Sequence, residues 1–185
     1  MNSETIATPR VLAIAPCVQG IGFTVFNGPA LPIDWGVKWI RGEKNAKALL
    51  KVAALIEGYQ PDVVVLEDCQ GDGSHRAKRV EGLINAIAVL AQRQNIQVVR
   101  YSRNRMRRRF AAEGAITKHQ IAKAITTMIP EFAPRLPPER KIWLPEHANM
   151  SLFDAAVLTL TYFDEIDRVE TNNGQADKPT VIKAA

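Results

Sequence analysis

The order of strand and helix patterns constrains the fold of this chain more than any other feature. Three strand patterns come first, in Val11–Ala15, in Ile21–Phe26 and in the alternating segment LPIDWGVKWI, and they predict an antiparallel meander. Helical and strand patterns then alternate along the chain, and three helical patterns follow them. This order predicts an α/β fold whose mixed five-stranded sheet, the meander plus two further strands, carries helices on both faces.

Length and composition favour one globular domain, because 185 residues that are 46% hydrophobic can bury a sizeable core. We expect a flexible N-terminus over 1–10, a single domain over 11–164 and a flexible tail over 165–185. No stretch has the length and apolarity of a membrane span or of a secretory signal. Two cysteines do not make a disulfide framework, so we expect a reducing, cytoplasmic location.

Acidic residues at two places are candidates for a catalytic site. Glu67 and Asp68 close the apolar run VVVLED, at the kind of strand end where α/β sheets usually place ligand groups. Asp154 is the only charged residue in the apolar segment SLFDAAVLTLTYF, and a buried carboxylate needs a partner, a proton or a metal. Plainer explanations stand beside these. Asp154 fits a helix cap with Ser151, and acids after a strand commonly just begin a loop.

Three positions are expected to converge if the sheet forms as predicted. A central strand, a neighbouring first strand and a helix packed on both would bring positions 15, 67 and 154 together. Glu67 is favoured over Asp68, which stays a possible metal ligand, because adjacent strand residues face opposite sides. Carboxylates at such a site suit Mg²⁺ or Mn²⁺, and paired metals clamp both oxygens of a phosphodiester displacement. Position 15, however, is an alanine.

A strongly basic segment lies between the two acidic places. From Gly82 to Ala112 there are seven arginines and no acid, and six of the arginines lie in RYSRNRMRRR. Such a run is commonly a solvated face or is paired with acids, here those of 164–170. Alternatively it is a surface that binds phosphate, because the guanidinium fork fits phosphate oxygens. Lys118 opens the next predicted helix, where an N-terminus favours anions. The candidate nucleic-acid-binding residues are Arg76, Lys78, Arg79, Arg103, Arg105, Arg107, Arg108, Arg109 and Lys118.

Taken in order, these motifs resemble the RuvC-type Holliday-junction resolvases of the RNase H-like superfamily. Ala15-Pro16-Cys17 and the following IGFTV resemble the family's Asp-Pro-Gly opening and its return strand. A Pro-Asp pair leads to Glu67, RMRRRFAAEGAITKHQ places Lys118 on the family's functional lysine, and FDAA places Asp154 in the last helix. The resemblance covers Val11 to about Phe163.

The resemblance implies a metal-dependent nuclease that acts on branched DNA, with Mg²⁺ or Mn²⁺ as cofactor. It implies Glu67, Asp154 and Lys118 as site residues. It also implies a two-fold homodimer, for which Ala77–Gln92 is a candidate contact. Ala15 replaces the family's first catalytic Asp, and we therefore expect the protein as written to be inactive or impaired.

Three other classes of function compete with this interpretation. A nucleic-acid-binding protein of RNase H-like fold without catalysis would keep the basic surface and lose the metal centre. An actin-like kinase shares a hairpin phosphate loop but needs two such domains, for which the chain is too short. A zinc site at Cys17 and Cys69 needs further ligands, and two buried thiols are the favoured explanation.

Overall fold

The computed structural model describes residues 8–71, 75–141 and 143–176, and its centre is a single sheet. The strands are β1 (Val11–Pro16), β2 (Gly20–Phe26), β3 (Pro32–Trp39), β4 (Val63–Glu67) and β5 (Gln97–Tyr101). Their order is β3-β2-β1-β4-β5. The first three strands are antiparallel neighbours, whereas β1, β4 and β5 run parallel. The predicted mixed five-stranded sheet with its antiparallel meander is confirmed.

Helices cover both faces of this sheet. They are α1 (Lys44–Tyr59), α2 (Lys78–Arg93), α3 (Arg103–Ala111), α4 (Lys118–Met128) and α5 (Met150–Ala176), with a short 3-10 helix at Pro130–Arg135. Strand alternation separates two cores: Leu12 and Ile14 face α1 and α2, while Val11 and Ala13 face α4 and α5. Because β4 follows the same alternation, Glu67 lies on the α5 side with Val65.

The last helix is longer than the sequence pattern indicates. We expected it to end at Phe163, with a flexible tail from 165, but α5 continues to Ala176. Few of the residues after Phe163 are apolar, and the first of them are held by ion pairs from α3 to Asp164 and Glu165 and by the packing of Ile166 on the core. Residues 1–7 and 177–185 lie outside the described part of the chain. Neither α5 nor any other described helix is long and apolar enough to cross a membrane.

Close contacts between α5 and the meander fix the position of the helix. A Cβ built on Gly22 of β2 would lie 2.1 Å from the backbone carbonyl of Ser151, so only glycine allows this approach. Two turns further along α5, the hydroxyl groups of Thr24 and Thr159 form a buried hydrogen bond of 2.8 Å. These two contacts set the height at which Asp154 stands over the sheet.

Candidate active site

Ala15, Glu67 and Asp154 lie around one cleft at the end of the parallel strands, and Lys118 also lines it. The register of β1 on β4 pairs Ala13 with Val65, and two residues further it sets Ala15 beside Glu67. Asp154 comes from the first turns of α5, and Lys118 is the first residue of α4. The structure thus brings together the positions that the sequence predicts to converge.

Glu67 is almost completely buried, with 3% of its surface exposed, and two arginines contact it. Arg76 donates from Nε to Glu67 Oε2 at 2.9 Å, and Arg103 Nε lies 3.5 Å from Oε1. Burial alone lowers the pKa of the Arg76 guanidinium, but its hydrogen bond to Glu67 and the charges of Glu67 and Asp154 raise that pKa above its ordinary value. Glu67 therefore lies between two guanidinium cations.

Asp154 is paired with Lys118 and does not cap its own helix. Lys118 Nζ lies 3.0 Å from Asp154 Oδ2 and 2.7 Å from Glu146 Oε1. Ser151, the proposed capping partner, instead donates its hydroxyl hydrogen to the carbonyl of Ala148. Sequence reasoning missed Glu146, because it lies in a proline-rich loop that carries no periodic signal.

Positive charge predominates in the cleft. Its lining includes two carboxylates, Glu67 and Asp154, against four cationic side chains, Arg76, Arg103, Arg107 and Lys118. The open space is small, about 50 Å³, and the other seven residues that line it are apolar. A polyanion such as a phosphodiester backbone is the ligand that this balance of charge favours.

The residues present do not fit a two-metal centre. A buried methyl group stands at position 15, and both remaining carboxylates are engaged by cationic side chains. Across the described ranges, no group of three or more His, Cys, Asp or Glu side chains is placed to hold a metal ion. Hard divalent cations such as Mg²⁺ need several oxygen ligands in a defined geometry, which two ion-paired carboxylates do not supply.

Four of the five arginines of α3 divide into two groups, and the fifth, Arg103, contacts Glu67. Arg105 forms an ion pair with Glu165 at 2.5 Å, and Arg109 forms one with Asp164 at 2.6 Å. Arg107 and Arg108 are exposed, and no acid in the described part of the chain lies within ion-pair distance of them. The alternative that the basic run pairs with the acids after Phe163 therefore holds for Arg105 and Arg109, which are two of these four arginines.

Other candidate residues lie away from the cleft. Asp68 turns into the loop after β4, where its side chain accepts a hydrogen bond from the Gln70 backbone. Arg79 bonds to Asn45 across the α1–α2 face, and Lys78 is an exposed residue at the start of α2. These three side chains are not brought to the cleft, and Asp68 is not placed as a metal ligand.

The two cysteines do not form a zinc site with the described residues. Cys17 and Cys69 are both free thiols, and no third ligand completes a cluster in the described ranges. Burial and then the neighbouring charge of Glu67 raise the pKa of the Cys69 thiol above its ordinary value. Both thiols are half-buried rather than fully buried as expected.

The fold is that of the RuvC-type resolvases within the RNase H-like class. Thermus thermophilus RuvC, solved in complex with a Holliday junction substrate, matches with a TM-score of 0.61 at 15% identity over 88% of this chain and 97% of that one. The yeast mitochondrial Holliday junction resolvase Ydc2 matches with a TM-score of 0.60 at 13% identity, over 94% and 87% respectively. No family model and no curated protein sequence matches the chain.

Proposed function

We propose that this protein binds branched DNA of the Holliday-junction type and, as written, cleaves it poorly or not at all. One observation carries the proposal: a cleft with four cationic side chains and two ion-paired carboxylates lies at the strand ends of a RuvC-type fold. Of the cationic groups, Arg107 and Lys118 bind phosphate oxygens of the DNA backbone. The alanine at position 15 leaves the cleft without a third carboxylate.

Within this proposal, the cleft residues have separate roles. Arg107 contacts a phosphate beside the cleft. Lys118, at the start of α4, reaches the phosphodiester by giving up its ion pair with Glu146. Arg76 and Arg103 neutralise the buried Glu67, whose charge would otherwise repel the backbone. Two chains related by a two-fold axis, with contacts through α2, would present two such clefts to the symmetric strands of a junction.

Restoring the missing acid tests this proposal directly. Ala15→Asp places a carboxylate beside Glu67, and we expect Mg²⁺- or Mn²⁺-dependent nicking of a four-way junction to rise by roughly a hundredfold or more. Ala15→Asn has nearly the same volume without the charge and serves as the matched control. Thermal unfolding with and without Mn²⁺ provides a readout besides activity: only the Asp variant is expected to gain stability from the metal.

Two outcomes would contradict the proposal. Robust Mg²⁺-dependent cleavage by the unaltered chain, persisting in both Glu67→Gln and Asp154→Asn, would place the reaction elsewhere. Failure of the unaltered chain to bind a four-way junction more tightly than a duplex of equal length would remove branched DNA as the ligand. Sedimentation of the same preparations measures whether the protein binds as a dimer.

A further inference from the structure

A second and larger pocket opens beside the cleft. Its walls are the end of β3, the first turn of α4 and the loop that leads to α5, and its volume is about 670 Å³. Lys118 and Met150 line both spaces, so the two lie side by side. The volume lies within the range of small-molecule sites and is far too small for a duplex.

The chemistry of this pocket differs from that of the cleft. Trp39 lies at its edge with 58% of its surface exposed, and Leu144 with several prolines adds apolar surface. Its two permanent cations, Lys118 and Arg140, are balanced by Glu139 and Glu146. A pocket whose charges balance and whose wall carries an exposed indole suits an uncharged flat ring better than a phosphate.

We propose that this pocket holds one unpaired nucleobase of the DNA strand whose phosphate lies in the cleft. The proposal rests on the proposed function, because a strand in the cleft delivers the base. A nucleotide has one anionic part and one flat, uncharged part, and the two adjoining spaces match these parts in charge. Trp39 stacks on the base, as aromatic side chains do in proteins that bind single strands. Bases at a branch point pair and stack less completely than bases within a duplex, so less free energy is needed to extrude one.

Trp143 provides a matched control for Trp39. It lies in the loop that leads to α5 and is even more exposed than Trp39, at 77%, but it does not line the pocket. Trp39→Ala is expected to weaken binding to a four-way junction about tenfold, the contribution of one stacked base, and to leave duplex binding unchanged. Trp39→Phe should keep most of the affinity, and Trp143→Ala should behave as the unaltered protein.

Photo-crosslinking identifies the contact in the unaltered protein, independently of any variant's folding. Junctions carry 5-iodouracil at single positions around the crossover, and peptide mapping locates the crosslinks. We expect one position to crosslink to Trp39. Crosslinks divided equally between Trp39 and Trp143, or unchanged junction affinity in a folded Trp39→Ala variant, would overturn the pocket proposal. If the unaltered protein does not prefer junction over duplex, it is the proposed function that fails.

Discussion

The division of the arginines on α3 leads to a quantitative prediction for DNA binding. Arg107 and Arg108 are free of ion pairs among the described residues, whereas Arg105 and Arg109 are held by Glu165 and Asp164. Replacing either pair with alanine removes the same formal charge from the same helix. The two double variants differ in whether the lost arginines were available to phosphate. They also differ in burial, because Arg109 is largely buried, and in the two acids that lose a partner.

The size of the effect follows from counterion release. Each phosphate contact contributes about 0.9 to the slope of log K against log salt on duplex DNA. Losing Arg107 and Arg108 should flatten that slope by about 1.8. The ratio of the binding constant of the unaltered protein to that of the double variant therefore falls about twelvefold between roughly 50 and 200 mM salt. Losing Arg105 and Arg109 should change the slope by much less than one, because those side chains already have anionic partners.

Fluorescence-anisotropy titrations of a labelled four-way junction at several salt concentrations provide the measurement. Circular dichroism of both double variants checks that α3 and α5 remain folded. Equal flattening in the two variants would refute the reasoning, since it would show that the ion pairs to α5 do not withhold arginines from DNA. Unchanged slopes in both would show that α3 does not contact the backbone.

Two further predictions concern the packing of α5 and the charge of the buried site. Gly22→Ala should lower the melting temperature by about 3 to 10 °C, because the added methyl group overlaps the Ser151 backbone. Gly82→Ala is the control: Gly82 has open space around it, so this variant should be slightly more stable than the unaltered protein. A Gly22→Ala variant that melts above the Gly82→Ala variant would contradict the close contact. In a Cys17→Ser background, Glu67→Gln should shift the pH dependence of the Cys69 alkylation rate to lower pH. The reason is that, after burial, the Glu67 charge is the main cause of the raised thiol pKa. An unchanged pH dependence would show that Glu67 is not ionised beside the thiol.

Much of the fold was predictable because the patterns that define it are local. Alternation in β3, the apolar run in β4 and the capping box of Thr117 and Gln120 each specify an element without knowledge of the others. The convergence of positions 15, 67 and 154 also followed, because strand order and alternation determine which side chains share a strand end. The extension of α5 past Phe163 was not predicted. Its first residues there are held by ion pairs to α3, and local apolar periodicity does not indicate such long-range contacts.

The partners of the site residues were harder to predict than their positions. Arg76 and Arg103 were assigned to nucleic acid, but both contact Glu67, and nothing in the sequence specifies a pairing across nine or thirty-six residues. Glu146 reaches Lys118 from an irregular loop, where no period relates one residue to the next. Side-chain pairing across loops depends on the whole fold, whereas the placement of strand ends depends on short patterns.

The part of α5 that follows Phe163 places two acids against the arginines of α3. Phosphate contacts give affinity for any nucleic acid, whatever its sequence or branching, so six available arginines in ten residues would retain the protein on every duplex and transcript it met. Asp164 and Glu165 pair with two of these arginines, Arg109 and Arg105. Under the proposed function, this pairing leaves fewer arginines to bind nucleic acid of any shape, and the shape of the cleft would then have a larger share in deciding which nucleic acid stays bound.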